Sequence, residues 1–291
     1  MARHIFFAAI ATFIAITGTT PIRAAPDAQP GIMPQPSGGY RFMVGDVAVT
    51  ALSDGTVPMD LHMLLQQTTP ANTDAMLRQS FLTNPYEHST NVFLLDMGSR
   101  QILVDTGMGE LFGPGNGGKL IESLEAIGVS PDEVDDILLT HVHPDHYGGL
   151  VRNGQIVFPN AKIHVGKPDI DFFFDRENAA RTQQDVQYFD QAIATLKPYV
   201  DAGQVKAFSD TTEVLPGIKA EIQPGHTPGS AFYTLESRGD RIIFVGDIVH
   251  VAAVQFPAPE ITIKFDVDPS EAAQVRSQAF ERLVADRTLR A

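Results

Sequence analysis

The chain has 291 residues, of which 43% are hydrophobic, and a formal net charge of −14. This length and composition suit one large α/β domain, or at most two small ones. The acidic balance argues against nucleic-acid binding, because the phosphates would be repelled. The sequence has no cysteine, which excludes disulfides and thiolate ligands, so any metal ion must be held by histidine and carboxylate side chains.

The start of the chain has the features of an export signal. A short basic region precedes an apolar run at residues 5–16, and the small residues Ala24 and Ala25 follow. We therefore expect residues 1–24 to be a cleaved signal peptide and the protein to be periplasmic or secreted. The alternative is an uncleaved membrane anchor, which the short run disfavours because spanning a bilayer takes about 20 residues.

The mature chain is expected to begin with a flexible lead-in. Residues 25–39 are rich in proline, glycine, glutamine and serine and have little to bury. A single hydrolase domain is expected over residues 40–291. No stretch in that range is long and apolar enough to cross a membrane, so we expect no stable membrane insertion.

The remaining pattern predicts strands, then a helix, a strand, helices, strands and a last helix. The predicted strands are 41–44, 47–52, 91–95, 101–105, 134–140, 161–165, 218–222, 231–235 and 241–245, and the predicted helices are 120–127, 186–199 and 270–285. We expect Ser270 to be the N-cap of the last helix. This order suits two sheets with helices packed outside them.

A dense group of potential metal ligands follows the strand predicted at 134–140. The run His141-Val142-His143-Pro144-Asp145-His146 holds three histidines and one aspartate. Side chains of a strand alternate with period two, so we expect the imidazoles of His141 and His143 to share one side. These ligand types suit Zn, Mn, Fe or Co. The bland alternative, polar residues in a turn, does not account for the type, order and spacing together.

Three other predicted strands also end at aspartate or histidine. Asp105 closes the strand at 101–105 in a VDTG segment, His226 lies in a GHTPG loop after 218–222, and Asp247 follows 241–245. Each residue alone would be read as a turn residue or a cap. Together with the HVHPDH run they predict one converging metal centre. We expect Asp105 to orient a ligand histidine rather than to bind the ion.

These motifs resemble those of the metallo-β-lactamase superfamily, from about residue 40 to the last helix. Within it the chain most resembles the methyl parathion hydrolase-like branch, a relative of the N-acyl-homoserine lactonases. The segments that carry this closer resemblance are LSDGTV at 52–57, LFGP at 111–114, 141–150 and VAAVQF at 251–256. The resemblance implies an α/β fold, the αβ/βα sandwich of two mixed sheets with outer helices.

The resemblance also implies two ligand sets that share one aspartate. These are His141, His143 and His226 for one ion, Asp145 and His146 with one more histidine for a second ion, and Asp247 as the bridge. The additional histidine is expected beyond the last helix, but no histidine follows His250. We therefore expect a truncated C-terminal part and a second set that is one ligand short. Two further departures are expected to be benign: His250 as a partly exposed polar residue rather than a substitute ligand, and Ser230, where the family often has histidine.

The implied activity is hydrolysis by a metal-bound hydroxide, with one or two zinc ions per chain and Asp247 orienting the nucleophile. By resemblance the substrate pocket would be walled by Phe112, Phe173 and Phe189, although core packing is an equal alternative for these rings. An aromatic pocket over a cationic floor suits small neutral esters, lactones or phosphotriesters.

Two other functions compete with this one. A β-lactamase is disfavoured because the GHTPG and GD motifs and the Asp145-His146 pair resemble the other branch. A truncated, catalytically impaired metal-binding member of the same fold is the second alternative. Relatives often form dimers, so a homodimer is also expected.

Overall fold

The computed structural model describes residues 35, 39–286 and 289–290. The expected signal peptide at 1–24 lies outside the described residues, and so does the expected lead-in, apart from Gln35 and Gly39. Among the described residues, none of the helices has the length and apolar character needed to cross a membrane.

The strands form two large sheets and two small pairs. They are β1 (Gly39–Val44), β2 (Val47–Met59), β3 (Leu65–Gln66), β4 (Tyr86–Asp96), β5 (Gln101–Val104), β6 (Val134–Leu138), β7 (Val151–Arg152), β8 (Gln155–Ile156), β9 (Lys162–Gly166), β10 (Val205–Phe208), β11 (Thr212–Leu215), β12 (Ile218–Ile222), β13 (Ala231–Ser237), β14 (Asp240–Phe244), β15 (Thr262–Ile263) and β16 (Leu289–Arg290).

Both large sheets are mixed, as the resemblance implied. The first has the order β1-β2-β4-β5-β6-β9-β10, antiparallel up to β5 and parallel from β5 to β10. The second has the order β11-β12-β13-β14-β16 and is antiparallel except for the last pair. The small pairs are β3 with β15 and β7 with β8.

Helices and short 3₁₀ turns connect and cover these strands. The helices are α1 (Leu61–Leu64), α2 (Pro70–Gln79), α3 (Leu120–Ala126), α4 (Pro144–Tyr147), α5 (Lys167–Phe173), α6 (Glu177–Thr182), α7 (Val186–Asp201), α8 (Ala252–Gln255) and α9 (Pro269–Asp286). The expected N-cap of α9 was wrong, because the helix begins one residue before Ser270. Asp268 caps it instead, with its side chain accepting the Glu271 backbone N–H at 3.0 Å.

Strand alternation sends side chains of the first sheet into two different cores. On β5, Val104 faces the core between the sheets, which it shares with Tyr233 and Phe244 of the second sheet. Its neighbour Leu103 faces the opposite core, where α3 and α7 pack. Helix α9 covers the outer face of the second sheet through Leu283 and other apolar residues. The result is a sandwich of helix, sheet, sheet and helix, which confirms the predicted fold class.

Candidate metal centre

The predicted ligands lie at one edge of the two sheets. Strands β5 and β6 are parallel, so the segments that follow them, starting at Asp105 and leading to His141, leave at the same edge. Strands β12 and β14 both run antiparallel to β13, so their ends, which lead to His226 and Asp247, also coincide. The fold therefore collects four strand exits, as the sequence predicted.

Three imidazole nitrogens form a nearly equilateral triangle. His141 Nε2 lies 3.1 Å from His143 Nδ1, His143 Nδ1 lies 3.0 Å from His226 Nε2, and the third edge is 3.1 Å. All three histidines are buried. Strand β6 ends at Leu138, so His141 and His143 lie in a loop and present different nitrogens. They converge through loop geometry rather than through the strand alternation that the sequence suggested.

For two of these rings, the hydrogen bond of the outer nitrogen fixes which nitrogen carries the proton. His226 Nδ1 donates to Asp266 Oδ1 at 2.8 Å, which leaves a lone pair on Nε2. The Thr140 hydroxyl donates to Asp105 Oδ2 and therefore accepts from His141 Nδ1 at 3.1 Å. His141 Nε2 is thus also unprotonated, and its lone pair faces that of His226 Nε2 at 3.1 Å. A cation held by these nitrogens would relieve this repulsion, so the donor set fits a metal ion.

A second group of donors lies on the other side of Asp247. His146 Nε2 is 3.2 Å from Asp247 Oδ1 and 3.5 Å from Asp145 Oδ2. The other oxygen of Asp247, Oδ2, is 3.8 Å from His226 Nε2 and 4.0 Å from His141 Nε2. One carboxylate thus lies between the two nitrogen groups, with one oxygen directed at each.

Asp105 orients His146 of the second group by contacting the ring nitrogen that faces away from Asp145 and Asp247. Its Oδ2 contacts His146 Nδ1 at 2.8 Å, so the opposite nitrogen of His146 is turned toward Asp145 and Asp247. Its Oδ1 accepts the backbone N–H of Thr140 at 2.8 Å, next to His141. Asp105 is itself in the left-handed backbone region, with φ of 60°, which aspartate tolerates better than most residues. Its contacts are those expected of a residue that orients a ligand.

The electrostatics of the two groups differ in sign. Burial, followed by the positive charge of neighbouring histidines, holds the pKa of His141 and His143 well below the usual value. Burial opposes protonation of His146 too, but the charges of Asp247, Asp145 and Asp105 outweigh it and hold its pKa well above the usual value. Burial likewise opposes ionisation of Asp247, yet His146 and His250 hold its pKa well below the usual range. His141 and His143 are therefore neutral and open to a cation. His146 and Asp247 instead form an ion pair, and a cation that binds there must displace the proton of His146.

The sequence model of the Metallo-beta-lactamase superfamily matches residues 85–288, a range that contains all of these ligands. The chain belongs to the metallo-β-lactamase superfamily. Its histidine and aspartate clusters are groups that could hold metal ions.

Other members of the superfamily are similar to the chain over different lengths. An N-acyl homoserine lactonase of Bacillus thuringiensis is 28% identical over 173 residues, which are 53% of this chain and 61% of that protein. The chain thus spans about three fifths of the length of the curated relatives it matches first.

Two solved structures match nearly the whole chain. The hydrolase AbOPH of the β-lactamase superfamily is 32% identical, with a TM-score of 0.82, and covers 89% of this chain and 90% of its own. AidC, a dizinc quorum-quenching lactonase in complex with a product, is 26% identical, with a TM-score of 0.78 over 88% of this chain and 90% of its own.

His250 differs from the expectation for this superfamily member. It was expected to be partly exposed, but only 6% of its surface is accessible. Its Nε2 lies 3.2 Å from Asp247 Oδ2, and together with His226 and Asp247 it forms a further group of possible metal donors. It lies two residues after the short turn at Gly246–Ile248, which contains Asp247.

Two buried residues that support His226 were missed in the sequence. Asp266 accepts from His226 Nδ1, and its other oxygen accepts the Ile263 backbone N–H at 3.1 Å. Arg276, on α9, is almost fully buried, and its Nη2 lies 3.8 Å from Asp266 Oδ2. Such partners fix the orientation of a ligand histidine in metalloproteins. No local motif marks Asp266, which lies 40 residues from its histidine.

Two of the three aromatic residues expected to line the substrate pocket lie in the hydrophobic core. Phe173 and Phe189 have no exposed surface and pack in the core against one another, with ring centroids 5.1 Å apart. The Phe173 ring also packs against the ring of His143, with the two ring centroids 5.6 Å apart. For these two residues the alternative of core packing was the correct one, and Phe112 stays a prediction.

A different cavity borders the candidate metal-binding residues. It has a volume of about 340 Å³ and reaches Asp145, His146, Asp247 and His250. Its apolar part is lined by Phe93, Phe244, Val249, Phe256, Phe280 and Leu283, and His88 of β4 adds a further imidazole. The cavity therefore combines an apolar wall with the side of the metal centre that carries Asp247.

Proposed function

We propose that the chain is a dinuclear zinc hydrolase that cleaves small neutral esters, with lactones as the foremost class and phosphotriesters as a further one. The observation that carries this proposal is the position of the Asp247 carboxylate. One of its oxygens lies 3.2 Å from His146 Nε2, and the other lies 3.8 Å from His226 Nε2. A carboxylate that faces two donor groups at once is suited to bridge two cations.

Each side chain has a defined part in holding the two ions. His141, His143 and His226 would hold the first, and Asp145 and His146 the second. Zinc favours imidazole and carboxylate donors of this kind, although Mn, Fe or Co would also accept them. When bound, such ions lower the pKa of water to about 7 and polarise an electrophilic carbon or phosphorus centre. Asp247 would hold the two groups at a fixed separation and orient the attacking water.

The choice of lactones rests on charge and on the relatives. A net charge of −14 disfavours anionic substrates at long range, whereas a neutral acyl lactone is not repelled. The apolar wall of the cavity next to Asp247 suits the acyl part of such a substrate. The relatives named as N-acyl homoserine lactonases support the same class.

The test compares substrates on the zinc-loaded protein. We expect turnover of an N-acyl homoserine lactone, weaker turnover of a neutral phosphotriester, and none of a β-lactam. Loss of turnover on metal removal and its return with two equivalents of zinc would support the dinuclear proposal. A protein that binds one ion or none and hydrolyses neither neutral ester would instead be the impaired metal-binding member of the fold.

We also propose that the protein is exported and forms a homodimer. The apolar run at 5–16 and the small residues at 24–25 support export. The experiments are N-terminal sequencing of protein recovered from the periplasm and sedimentation of the purified chain. A retained N-terminus or a monomer at micromolar concentration would contradict the respective proposal.

A further inference from the structure

Asp169 is a fully buried carboxylate behind the metal centre, and the proposed function leaves it without a part. It lies on α5, directly after β9, and has no exposed surface. Within the described residues no lysine or arginine pairs with it. Burial raises its pKa to about 6, although three hydrogen bonds to it act in the opposite direction. Burial of an ionised carboxylate without a neighbouring cation costs free energy, so Asp169 depends on its hydrogen bonds.

All the partners of Asp169 belong to the two loops that carry the first ligand set. Its Oδ2 accepts the backbone N–H of Val142, between His141 and His143, at 2.8 Å. The same oxygen accepts the hydroxyl of Thr227, which follows His226, at 2.8 Å. The two loops are 83 residues apart along the chain, and one oxygen atom joins them.

The second oxygen of Asp169 strengthens the hold on the His226 loop. Oδ1 accepts the backbone N–H of Gly229 at 2.5 Å. A Cβ atom at position 229 would lie 2.5 Å from the Asp169 nitrogen and 2.9 Å from its Cγ, so only glycine allows this approach. The close approach of Asp169 therefore explains why the last residue of the GHTPG motif is glycine.

Ser230 directs the Thr227 hydroxyl toward Asp169. The two hydroxyl oxygens lie 2.7 Å apart, and Ser230 Oγ also accepts the Thr227 backbone N–H at 3.0 Å. If Ser230 donates to Thr227 Oγ1, the Thr227 proton is free for Asp169. The residue that departs from the family pattern thus completes the network.

We propose that Asp169 is a positioning residue for the first metal ion: it sets the spacing between the His141–His143 loop and the His226 loop so that their nitrogens converge. The inference rests on the metal site of the proposed function, but not on its substrate. Because every contact of Asp169 is with a donor, a carboxylate meets all of them and an amide does not.

The variant Asp169→Asn tests this with little change in volume. In either orientation its NH₂ group replaces an oxygen that now accepts from at least one N–H, so one or more of these links is lost. We expect the dissociation constant of the first cobalt ion to rise 10- to 100-fold, with a changed visible spectrum of the cobalt-loaded protein. The matched control is Asp171→Asn on the same helix, whose carboxylate is exposed and pairs with Lys167. It should bind cobalt as the unchanged protein does.

A milder pair of variants covers the case in which Asp169→Asn does not fold. Thr227→Val removes the hydroxyl link to Asp169 together with the contact to Ser230 Oγ, and it should weaken cobalt binding several-fold. Thr227→Ser keeps the hydroxyl and should retain the affinity of the unchanged protein. The proposal is overturned if the Asn variant, or Thr227→Val in its place, keeps the unchanged cobalt affinity and spectrum, even when the metal-free fold is less stable. Failure of the unchanged protein to hydrolyse lactones would refute the proposed substrate and leave these binding results intact.

Discussion

Asp105→Asn should weaken both the fold and the binding of the second ion. Asparagine matches aspartate in size and tolerates the left-handed backbone at φ of 60°, so the change removes a charge and an acceptor with little strain. Asp105 Oδ2 contacts the Thr140 hydroxyl and His146 Nδ1, and Oδ1 accepts the Thr140 N–H, each at 2.8 Å. An amide leaves one of these buried donors unpaired in one orientation and two in the other.

The expected loss of stability follows from this number of unpaired donors. A buried donor without an acceptor costs about 1–3 kcal/mol, so the free energy of unfolding of the metal-free variant should be lower by at least about 1 kcal/mol. Loss of the carboxylate behind a ligand histidine lowers metal affinity about 10- to 100-fold, which here concerns the ion held by His146.

Two measurements separate these effects: urea unfolding of the metal-free protein and competition of the metal-loaded protein with a chelator. The matched control is Asp135→Asn, an exposed carboxylate that accepts a single backbone N–H from Gln101 at 2.9 Å, and it should change neither result appreciably. If Asp105→Asn keeps the original unfolding free energy and the original affinity for both ions, the assigned role of Asp105 is refuted.

Three other changes test the remaining parts of the centre. His143→Ala should abolish metal retention and activity, since it removes one corner of the nitrogen triangle; persistent activity would mean that the site is wrongly assigned. His250→Ala should lower metal occupancy, because its Nε2 contacts Asp247 Oδ2 at 3.2 Å; unchanged occupancy in metal analysis would contradict this. In the metal-free chain the pKa of His141 and His143 is held well below its unfolded value by burial and neighbouring histidine charge. These two residues therefore bind protons more weakly in the folded state, and each contributes a fall in the free energy of unfolding as pH drops below 6.5, of at most about 1.4 kcal/mol per pH unit. The raised pKa values of His146, His250 and Asp169 contribute with the opposite sign in this range. The measurement is therefore an NMR titration of the individual imidazoles in the metal-free protein, and protonation of His141 and His143 near pH 6.5 would contradict buried, neutral imidazoles.

The fold and the clustering of the candidate ligands were largely predictable because both have local signals. Alternating strands and the exits at Asp105, His141, His226 and Asp247 are visible in short segments, and mixed sheets bring such exits to one edge. Hydrophobic periodicity also located α7, which extends two residues beyond its expected end at Tyr199.

Apart from Asp105, the supporting residues were not predictable, because they act across long distances in sequence. Asp169 is an aspartate in the first turn of a short helix, and nothing nearby marks it as the partner of loops at Val142 and Thr227. No local signal marks the burial of His250, and the core position of Phe173 depends on how α5 packs against α7. Pattern alone identifies an aromatic residue without indicating whether it faces a cavity or a core.

The most direct test of the shared carboxylate is a crystal structure of the zinc-loaded protein with anomalous scattering measured at the zinc edge. We predict two peaks per chain: one about 2.0–2.1 Å from the ligand nitrogens of His141, His143 and His226, and one against Asp145 and His146. The Asp247 carboxylate should lie between them. A single peak, or two peaks that leave Asp247 without a metal contact, would contradict the account.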